Sequence, residues 1–436
     1  MDDVVPFFAS VAAEHPRCFW LDGGGAREWS GRRSMVGWLD DDDVSLTFHA
    51  GPREVRRHVA GRAEVVGTDI FEVLETELAT GSPDDQWFGY LGYAARPDLF
   101  PATPDPDLPD AVWMRTPPSH LRFFDHDLTM GQQRQAGGAL MAPLVPHAIA
   151  QPPPVDYAEA FGRVQEQLRA GNSYEVNLTY RVETASDLEP LAAYLRLRAV
   201  NPAPYAGFLQ HKLPGHRAWL LSSSPERYAL VTDDRVLETK PIKGTTVRGA
   251  TFDEDEAARA RLASDPKFRS ENLMIVDLLR NDLSMVCDPG TVEVPVLMDV
   301  ESYPSVHQLV STVRGRLTDG ISTVAALRAL FPAGSMTGAP KLRTMEIIEE
   351  VEATPRGGYA GAFGWLAGDG RADLGVVIRS LMTSGDGVYR LGTGGGITVR
   401  SEVEEEYAES RWKAARLLAA LDVSPEGSPR PPVPPA

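Results

Sequence analysis

The sequence predicts an α+β protein, because strand-forming and helix-forming patterns both recur along the chain. Short apolar runs between glycine- and proline-rich turns fill the first 150 residues, as in 18–25 (CFWLDGGG) and 87–100 (WFGYLGYAARPDLF), and such runs are typical of β-strands. Apolar residues recur at helical spacing in 157–168 and in the last long helix, predicted over 403–421. No internal repeat interrupts this alternation.

The composition is that of a soluble globular protein, with 43% hydrophobic and 24% charged residues in a chain of 436. A net charge of −18 argues against a nucleic-acid partner, and a site for an anionic substrate must concentrate cations or use a metal ion. The two cysteines, Cys18 and Cys287, lie far apart, which favours a reducing compartment. The start lacks the pattern of a secretory signal and no apolar run reaches membrane-spanning length, so we predict a cytoplasmic protein without a membrane partner.

Two regions and a tail are predicted. Residues 1–150 form an N-terminal region, and the run 150–154 (AQPPP) is the clearest linker. Residues 155–422 form a second region, which carries the motifs described below. Residues 423–436 are rich in proline and are predicted to be a disordered tail.

A predicted β-hairpin with a charged residue at each end lies at the centre of the second region. Its strands are Arg227–Val231 and Val236–Lys240, and antiparallel pairing brings Glu226 close to Lys243. A partly buried lysine can lose its proton near neutral pH, so this pair could shuttle protons beside a nucleophile. An ordinary salt bridge on a hairpin explains the pattern equally well.

Carboxylates on two predicted helices could hold a hard metal ion. Glu271 falls in the first turn of a helix predicted over 270–282, and Glu406, Glu409 and Lys413 share one face of the last helix. If Glu406 and Glu409 meet Glu271 across the fold, they could bind Mg²⁺ with water completing the octahedron. A solvated acidic face is the alternative.

Three features could bind an anion. The run 392–397 (GTGGGI) predicts a glycine loop whose backbone N–H groups could approach a carboxylate closely. The run 334–341 (GSMTGAPK) predicts a second loop at a helix start, where Thr337 and backbone donors could face a bound anion. Arg379 stands in an otherwise apolar strand and needs an anionic partner, either a ligand or a structural carboxylate. Plain turns explain both loops as well. His307 is predicted to be structural.

Eight blocks in order show that the chain resembles the chorismate-utilising enzymes, strongly over 155–421 and weakly before that. The blocks are SPERY, ETKPIKGT, SENLMIVDLLRND, HQLVSTVRG, FPAGSMTGAPK, GVVIRSL, GTGGGI and EYAESRWKA. The family includes component I of aminodeoxychorismate synthase, component I of anthranilate synthase, and the isochorismate and salicylate synthases. The resemblance implies an anthranilate synthase component I-like α+β fold, a sandwich of two large antiparallel sheets with flanking helices. Mg²⁺ and chorismate are expected between the sheets.

The resemblance also implies roles for matching residues. Glu271 and Glu409 match metal ligands, with Glu406 close by. Positions expected to hold the substrate are Arg379, Lys413, Thr337, Gly244, Thr245, Gly394, Gly395 and Gly396.

Three positions favour one branch of the family. Lys243 matches aminodeoxychorismate synthases, where anthranilate synthases usually have alanine, and Glu175 replaces a lysine that activates water in isochorismate synthases. Gln308 stands where anthranilate synthases have a histidine tied to pyruvate loss, and the neighbouring His307 would face the other side of its strand.

These matches imply conversion of chorismate and ammonia to 4-amino-4-deoxychorismate, a precursor of 4-aminobenzoate. Lys243 would form a covalent intermediate, with Glu226 as acid and then base. A glutamine amidotransferase subunit would supply ammonia as the partner in a heterodimer. Anthranilate or 2-amino-2-deoxyisochorismate synthesis, or a non-catalytic chorismate-binding regulatory subunit, are the alternatives.

Overall fold

The fold was analysed in a computed structural model that describes residues 4–23, 33–97, 99–101, 103–126, 152–303 and 306–422. The α-helices are α1 Val4–Glu14, α2 Ile70–Thr80, α3 Val155–Arg169, α4 Pro190–Val200, α5 Phe252–Ser264, α6 Pro266–Ser284, α7 Thr323–Leu330, α8 Lys341–Val351 and α9 Val403–Ala420. In these ranges no helix is both long and apolar enough to cross a membrane.

The strands up to the linker are β1 Arg17–Asp22, β2 Arg33–Leu39, β3 Ser45–His49, β4 Glu54–Val59, β5 Arg62–Gly67, β6 Gln86–Leu91, β7 Ala111–Thr116 and β8 Leu121–Asp125. Those after it are β9 Glu175–Ala185, β10 Tyr205–Leu213, β11 His216–Ser224, β12 Arg227–Val231, β13 Val236–Lys240, β14 Ile242–Val247, β15 Glu293–Ser302, β16 Val306–Arg316, β17 Gly338–Ala339, β18 Ala362–Ala367, β19 Ala372–Val376, β20 Ser380–Thr383 and β21 Val388–Ile397.

The strands form two large antiparallel sheets, which confirms the predicted fold class. The first has nine strands in the order β17-β9-β21-β20-β11-β10-β1-β2-β8. The second has twelve, in the order β14-β16-β13-β12-β19-β18-β6-β7-β3-β4-β5, with β15 paired to β16. Strands from before and after the linker share both sheets. The predicted domain boundary stays a prediction, and the tail 423–436 lies outside the described residues.

Apolar side chains from both sheets meet in the layer between them. Phe19 of the first sheet stacks on Phe88 of the second, with ring centroids 3.8 Å apart. Leu209 and Leu220 join the same buried cluster from the first sheet, and Phe363 joins it from the second. Burial of this apolar area is what holds the sheets face to face.

Four histidines form a polar cluster in another part of this layer. His49 and His58 lie on β3 and β4 of the second sheet, and His211 and His216 lie on β10 and β11 of the first. His49 Nε2 is 3.1 Å from His216 Nδ1, and the rings of His58 and His216 are 4.7 Å apart between centroids. Burial, together with neighbouring positive charge, lowers the pKa of His58 and that of His211 to about 3. These imidazoles are therefore neutral at pH 7.

We expect the histidine cluster to make the fold labile to mild acid. The ordinary histidine pKa is 6.5, whereas the pKa of His58 and that of His211 in the folded chain are about 3. Between these two pH values the unfolded chain binds protons on these histidines and the folded chain does not. The contribution of His58 and His211 to the free energy of unfolding is thus fully present above pH 6.5. Below that pH the contribution of each histidine falls by on the order of 1 kcal/mol per pH unit. Thermal unfolding between pH 8 and pH 5 measures this slope. The double variant His58→Gln/His211→Gln should flatten it, whereas an equal slope in the variant and the unaltered protein contradicts the assignment.

Candidate active site

A cavity of about 890 Å³ lies where α6, α9, β14 and β21 come together. It contains most of the residues singled out from the sequence. The predicted site residues that line it are Glu226, Lys243, Gly244, Thr245, Glu271, Arg379, Gly394, Gly395, Gly396, Glu406, Glu409 and Lys413. Residues as far apart in sequence as Glu226 and Lys413 therefore share one cavity, and their roles stay predictions.

The predicted hairpin is confirmed, but Lys243 has a different partner from the one expected. Arg227 pairs with Lys240 in the β12–β13 ladder, so Glu226 and Lys243 both reach the cavity. The ammonium of Lys243 donates to Glu175 Oε1, and the side chains of Lys243 and Glu175 are only 10% and 1% exposed. The sequence could not show this contact, because it joins β9 of one sheet to β14 of the other.

The pKa of Lys243 moves opposite to the expected direction. Burial acts to lower it, but the carboxylates of Glu175 and Glu271 outweigh burial and raise the pKa above the ordinary lysine value. Lys243 is therefore an ammonium in this structure. Glu175 accepts the hydrogen bond of this ammonium through Oε1, and its Oε2 is buried with no hydrogen-bond partner among the described residues.

Glu226 is set up to exist in both protonation states near neutral pH. Its side chain is buried, and the Ser335 hydroxyl donates to Glu226 Oε1 over 2.6 Å. Burial raises the pKa of Glu226 to about 7, against the lowering effects of Ser335 and Lys243. A carboxyl group with this pKa can both give and take a proton at pH 7.

The three carboxylates expected to bind a metal ion line the same cavity, but their oxygen atoms do not all lie within 4.8 Å of one another. Glu271 lies in the second turn of α6 instead of the first, because Asp265 caps the helix and starts it at Pro266. Glu406 and Glu409 come from α9. Burial raises the pKa of Glu271 to about 7, and Glu271 Oε1 is buried without a hydrogen-bond partner among the described residues. An all-carboxylate donor set with an unsatisfied buried oxygen suits Mg²⁺.

The glycine run is part of a strand and not a loop, which corrects the sequence interpretation. Gly394, Gly395 and Gly396 lie in β21 and pair with β9. A Cβ on Gly396 would lie 2.0 Å from Glu175 Oε1, and one on Gly395 would lie 3.2 Å from Glu406 Oε2. The absence of side chains here makes room for the charged groups, and Lys413 Nζ donates to the Gly394 carbonyl over 2.9 Å.

Arg379 also departs from the prediction, because it lies between β19 and β20 and not within a strand. Its φ of 51° is in the left-handed region that an arginine rarely adopts, and such strain is typical of functional sites. The guanidinium faces the cavity and lies over Trp412. It forms no ion pair within the described part of the chain, and burial, with the charge of Arg416, lowers its pKa to about 10. A half-buried cation placed in this way favours an anionic ligand.

Of the remaining positions discussed from the sequence, Gln308 lines the cavity, and His307 and Thr337 do not. His307, on the same strand as Gln308, lies 3.0 Å from Asp255 and 2.7 Å from Ser302, as expected for a structural histidine. Thr337 is fully buried, donates to the Gly334 carbonyl over 3.2 Å and is not among the lining residues.

Sequence reasoning missed Lys267, which lines the cavity from the first turn of α6. Its ammonium donates to Glu406 Oε1 over 3.1 Å. The sequence signal that could have singled out Lys267 is a lysine in the first turn of a helix, where the helix dipole disfavours a cation. Because the predicted helix began at residue 270, Lys267 fell outside it.

The model of the chorismate binding enzyme family matches residues 17–419 of this chain. The chain belongs to this family. Among curated relatives of this chorismate binding enzyme, an aminodeoxychorismate synthase of Streptomyces pristinaespiralis is 39% identical over 95% of the chain and 63% of its own length. Aminodeoxychorismate synthase component 1 of Escherichia coli is 42% identical over 61% of the chain and 57% of its own length.

A solved structure supports the same fold. Anthranilate synthase component I from Streptococcus pneumoniae superposes on this chorismate binding enzyme with a TM-score of 0.68 and 23% identity, over 89% of this chain and 92% of that one. The chain spans less than two thirds of the length of the curated relatives named above.

Proposed function

We propose that this chain is an aminodeoxychorismate synthase, which converts chorismate and ammonia to 4-amino-4-deoxychorismate. The observation that carries the proposal is Lys243, a lysine whose side chain is only 10% exposed and which lines the same cavity as Glu226. Lysine at this position distinguishes the proposed branch from anthranilate synthases, and a relative that bears the proposed name is 39% identical over 95% of the chain.

The charges of the cavity fit a substrate with two carboxylates. Arg379 offers a half-buried guanidinium without an ion-pair partner in the described residues, and Lys413 reaches the cavity from α9. The glycines at 394–396 line the cavity, and a side chain at Gly394 or Gly396 would collide with the backbone of β9 or with Glu175. We propose that Glu271, Glu406 and Glu409 hold Mg²⁺, which when bound neutralises acidic charge and withdraws electrons from a substrate carboxylate.

The reaction requires Lys243 to become a neutral amine, and Glu175 is the proton acceptor in contact with it. The amine then adds to ring carbon 2 while the hydroxyl leaves ring carbon 4. Glu226 in its protonated form gives the departing hydroxyl a proton. Ammonia adds at carbon 4, Glu226 takes a proton from it, and the bond to Lys243 breaks.

Ammonia must come from outside this chain. We propose a glutamine amidotransferase subunit as its source, in a heterodimer with this chain. Cys18 and Cys287 are buried free thiols, and burial raises the pKa of each, which makes them unsuited to glutamine hydrolysis. Free thiols also fit a cytoplasmic location.

Product analysis tests the proposed function. The purified chain is incubated with chorismate, Mg²⁺ and ammonium at mildly alkaline pH. We expect a product that an added aminodeoxychorismate lyase converts to 4-aminobenzoate. Fluorescent anthranilate as the product would assign the chain to the other amination branch. Isochorismate formed without ammonium would show that water is the nucleophile. Chorismate binding without turnover would instead identify the chain as a non-catalytic regulatory subunit.

A further inference from the structure

Lys267 contacts the proposed metal site, and no role was predicted for it from the sequence. Its side chain is 45% exposed, whereas that of its partner Glu406 is 4% exposed. Burial acts to lower the pKa of Lys267, but Glu406, Glu271 and Glu409 together raise it. The three carboxylates proposed as metal ligands are thus the groups whose negative charge acts on this ammonium.

Local helix energetics do not explain a lysine at this position. Lys267 is in the first turn of α6, where the positive end of the helix dipole disfavours a cation by roughly 0.3–1 kcal/mol. The capping of α6 uses the Asp265 carboxylate and the backbone N–H of Lys267, not its side chain. The interaction with the cavity carboxylates therefore accounts for the ammonium.

The other two lysines of the cavity are held more firmly. Lys243 is nearly buried against Glu175, and Lys413 is fixed both by Glu409 at 2.9 Å and by the Gly394 carbonyl. The one hydrogen bond described for the Lys267 ammonium is that to Glu406. A half-exposed lysine with a single partner can move its ammonium at little cost.

We infer that Lys267 is a resident counter-ion: its ammonium neutralises Glu406 while no metal is bound, a divalent cation displaces it, and the released ammonium then faces the anionic substrate. This inference rests on the metal site of the proposed function. It gives Lys267 two effects of opposite sign, because the same positive charge competes with the metal ion and attracts the substrate.

Metal binding without substrate tests the first effect. We would titrate the purified chain with Mn²⁺, an oxygen-binding stand-in for Mg²⁺, and follow free Mn²⁺ by electron paramagnetic resonance. Lys267→Met keeps the apolar stem and removes the charge, so it should bind Mn²⁺ about fivefold more tightly than the unaltered chain, as expected for the loss of one partly exposed ion pair. Arg269→Met is the matched control, because it removes one charge from the same helix outside the cavity and should leave the Mn²⁺ affinity unchanged.

Chorismate binding at saturating Mn²⁺ tests the second effect. Lys267→Met should bind chorismate about fivefold more weakly, again with Arg269→Met unchanged. Equal or weaker Mn²⁺ binding by Lys267→Met overturns the counter-ion role and leaves the proposed function intact. Failure of the unaltered chain to bind Mn²⁺ overturns both the metal site and this inference. A merely structural lysine would change both affinities in the same direction and lower the thermal unfolding temperature.

Discussion

Replacing Lys243 with arginine is expected to lower turnover of chorismate with ammonia by on the order of a thousandfold. Arginine keeps a positive charge against the buried Glu175 carboxylate, so the ion pair that supports the fold is retained. A guanidinium does not become a neutral nucleophile at any working pH. Turnover is measured with saturating Mg²⁺ and ammonium, and chorismate binding should remain largely intact.

Two further variants test whether the loss of turnover comes from loss of the Lys243 amine. Lys243→Ala should lose turnover to the same degree, with some loss of stability because Glu175 is left without its partner. Lys240→Arg is the control, since Lys240 lies on β13, the preceding strand along the chain, pairs with Glu301 and does not line the cavity. Intact-mass analysis of the unaltered enzyme during turnover should show an adduct of chorismate minus water. Full turnover in Lys243→Arg would exclude the covalent-lysine mechanism.

Replacing Glu226 with glutamine is expected to lower kcat by roughly 10²–10⁴ with little change in KM. An amide has no proton to give to the departing hydroxyl, although it can still accept the hydrogen bond from Ser335. In the unaltered enzyme the protonated form of Glu226 declines as the pH rises above about 7, so the contribution of this acid should fall there. The glutamine variant should lack that fall in its pH–rate profile.

A second variant, Ser335→Ala, tests whether Glu226 is the group that sets the pH dependence of the rate. The Ser335 hydroxyl lowers the pKa of Glu226, so its removal should raise that pKa and move the fall in rate to higher pH. Glu238→Gln is a control for loss of a carboxylate on the neighbouring strand, because Glu238 is paired with Arg227 outside the cavity. An unshifted profile in Ser335→Ala would assign the pH dependence to another group.

Local patterns in the sequence predicted several elements because their causes are local. The strands Arg227–Val231 and Val236–Lys240 follow from alternation and a polar turn between them, and the structure gives them these bounds. The spacing of Glu406 and Glu409 on one helix follows from helix geometry alone. The resemblance to a family then assembled residues that no local pattern could bring together.

Other predictions failed where backbone pairing or capping overrides composition. The run GTGGGI suggested a loop, yet pairing with β9 makes it a strand. Asp265 starts α6 earlier than the apolar pattern does. Arg379 was expected inside a strand, but its left-handed backbone separates β19 from β20. In each case a contact distant in sequence, or a single cap, decided the outcome.

The sequence by itself determined the fold class, the central hairpin and the family, because periodicity and ordered motifs are carried by neighbouring residues. Only the tertiary structure decided the charges of the cavity. It placed Glu175 against Lys243 and Lys267 against Glu406, each from a different element. Coulomb energies depend on distance and burial, which exist only once the two sheets and the helices have packed.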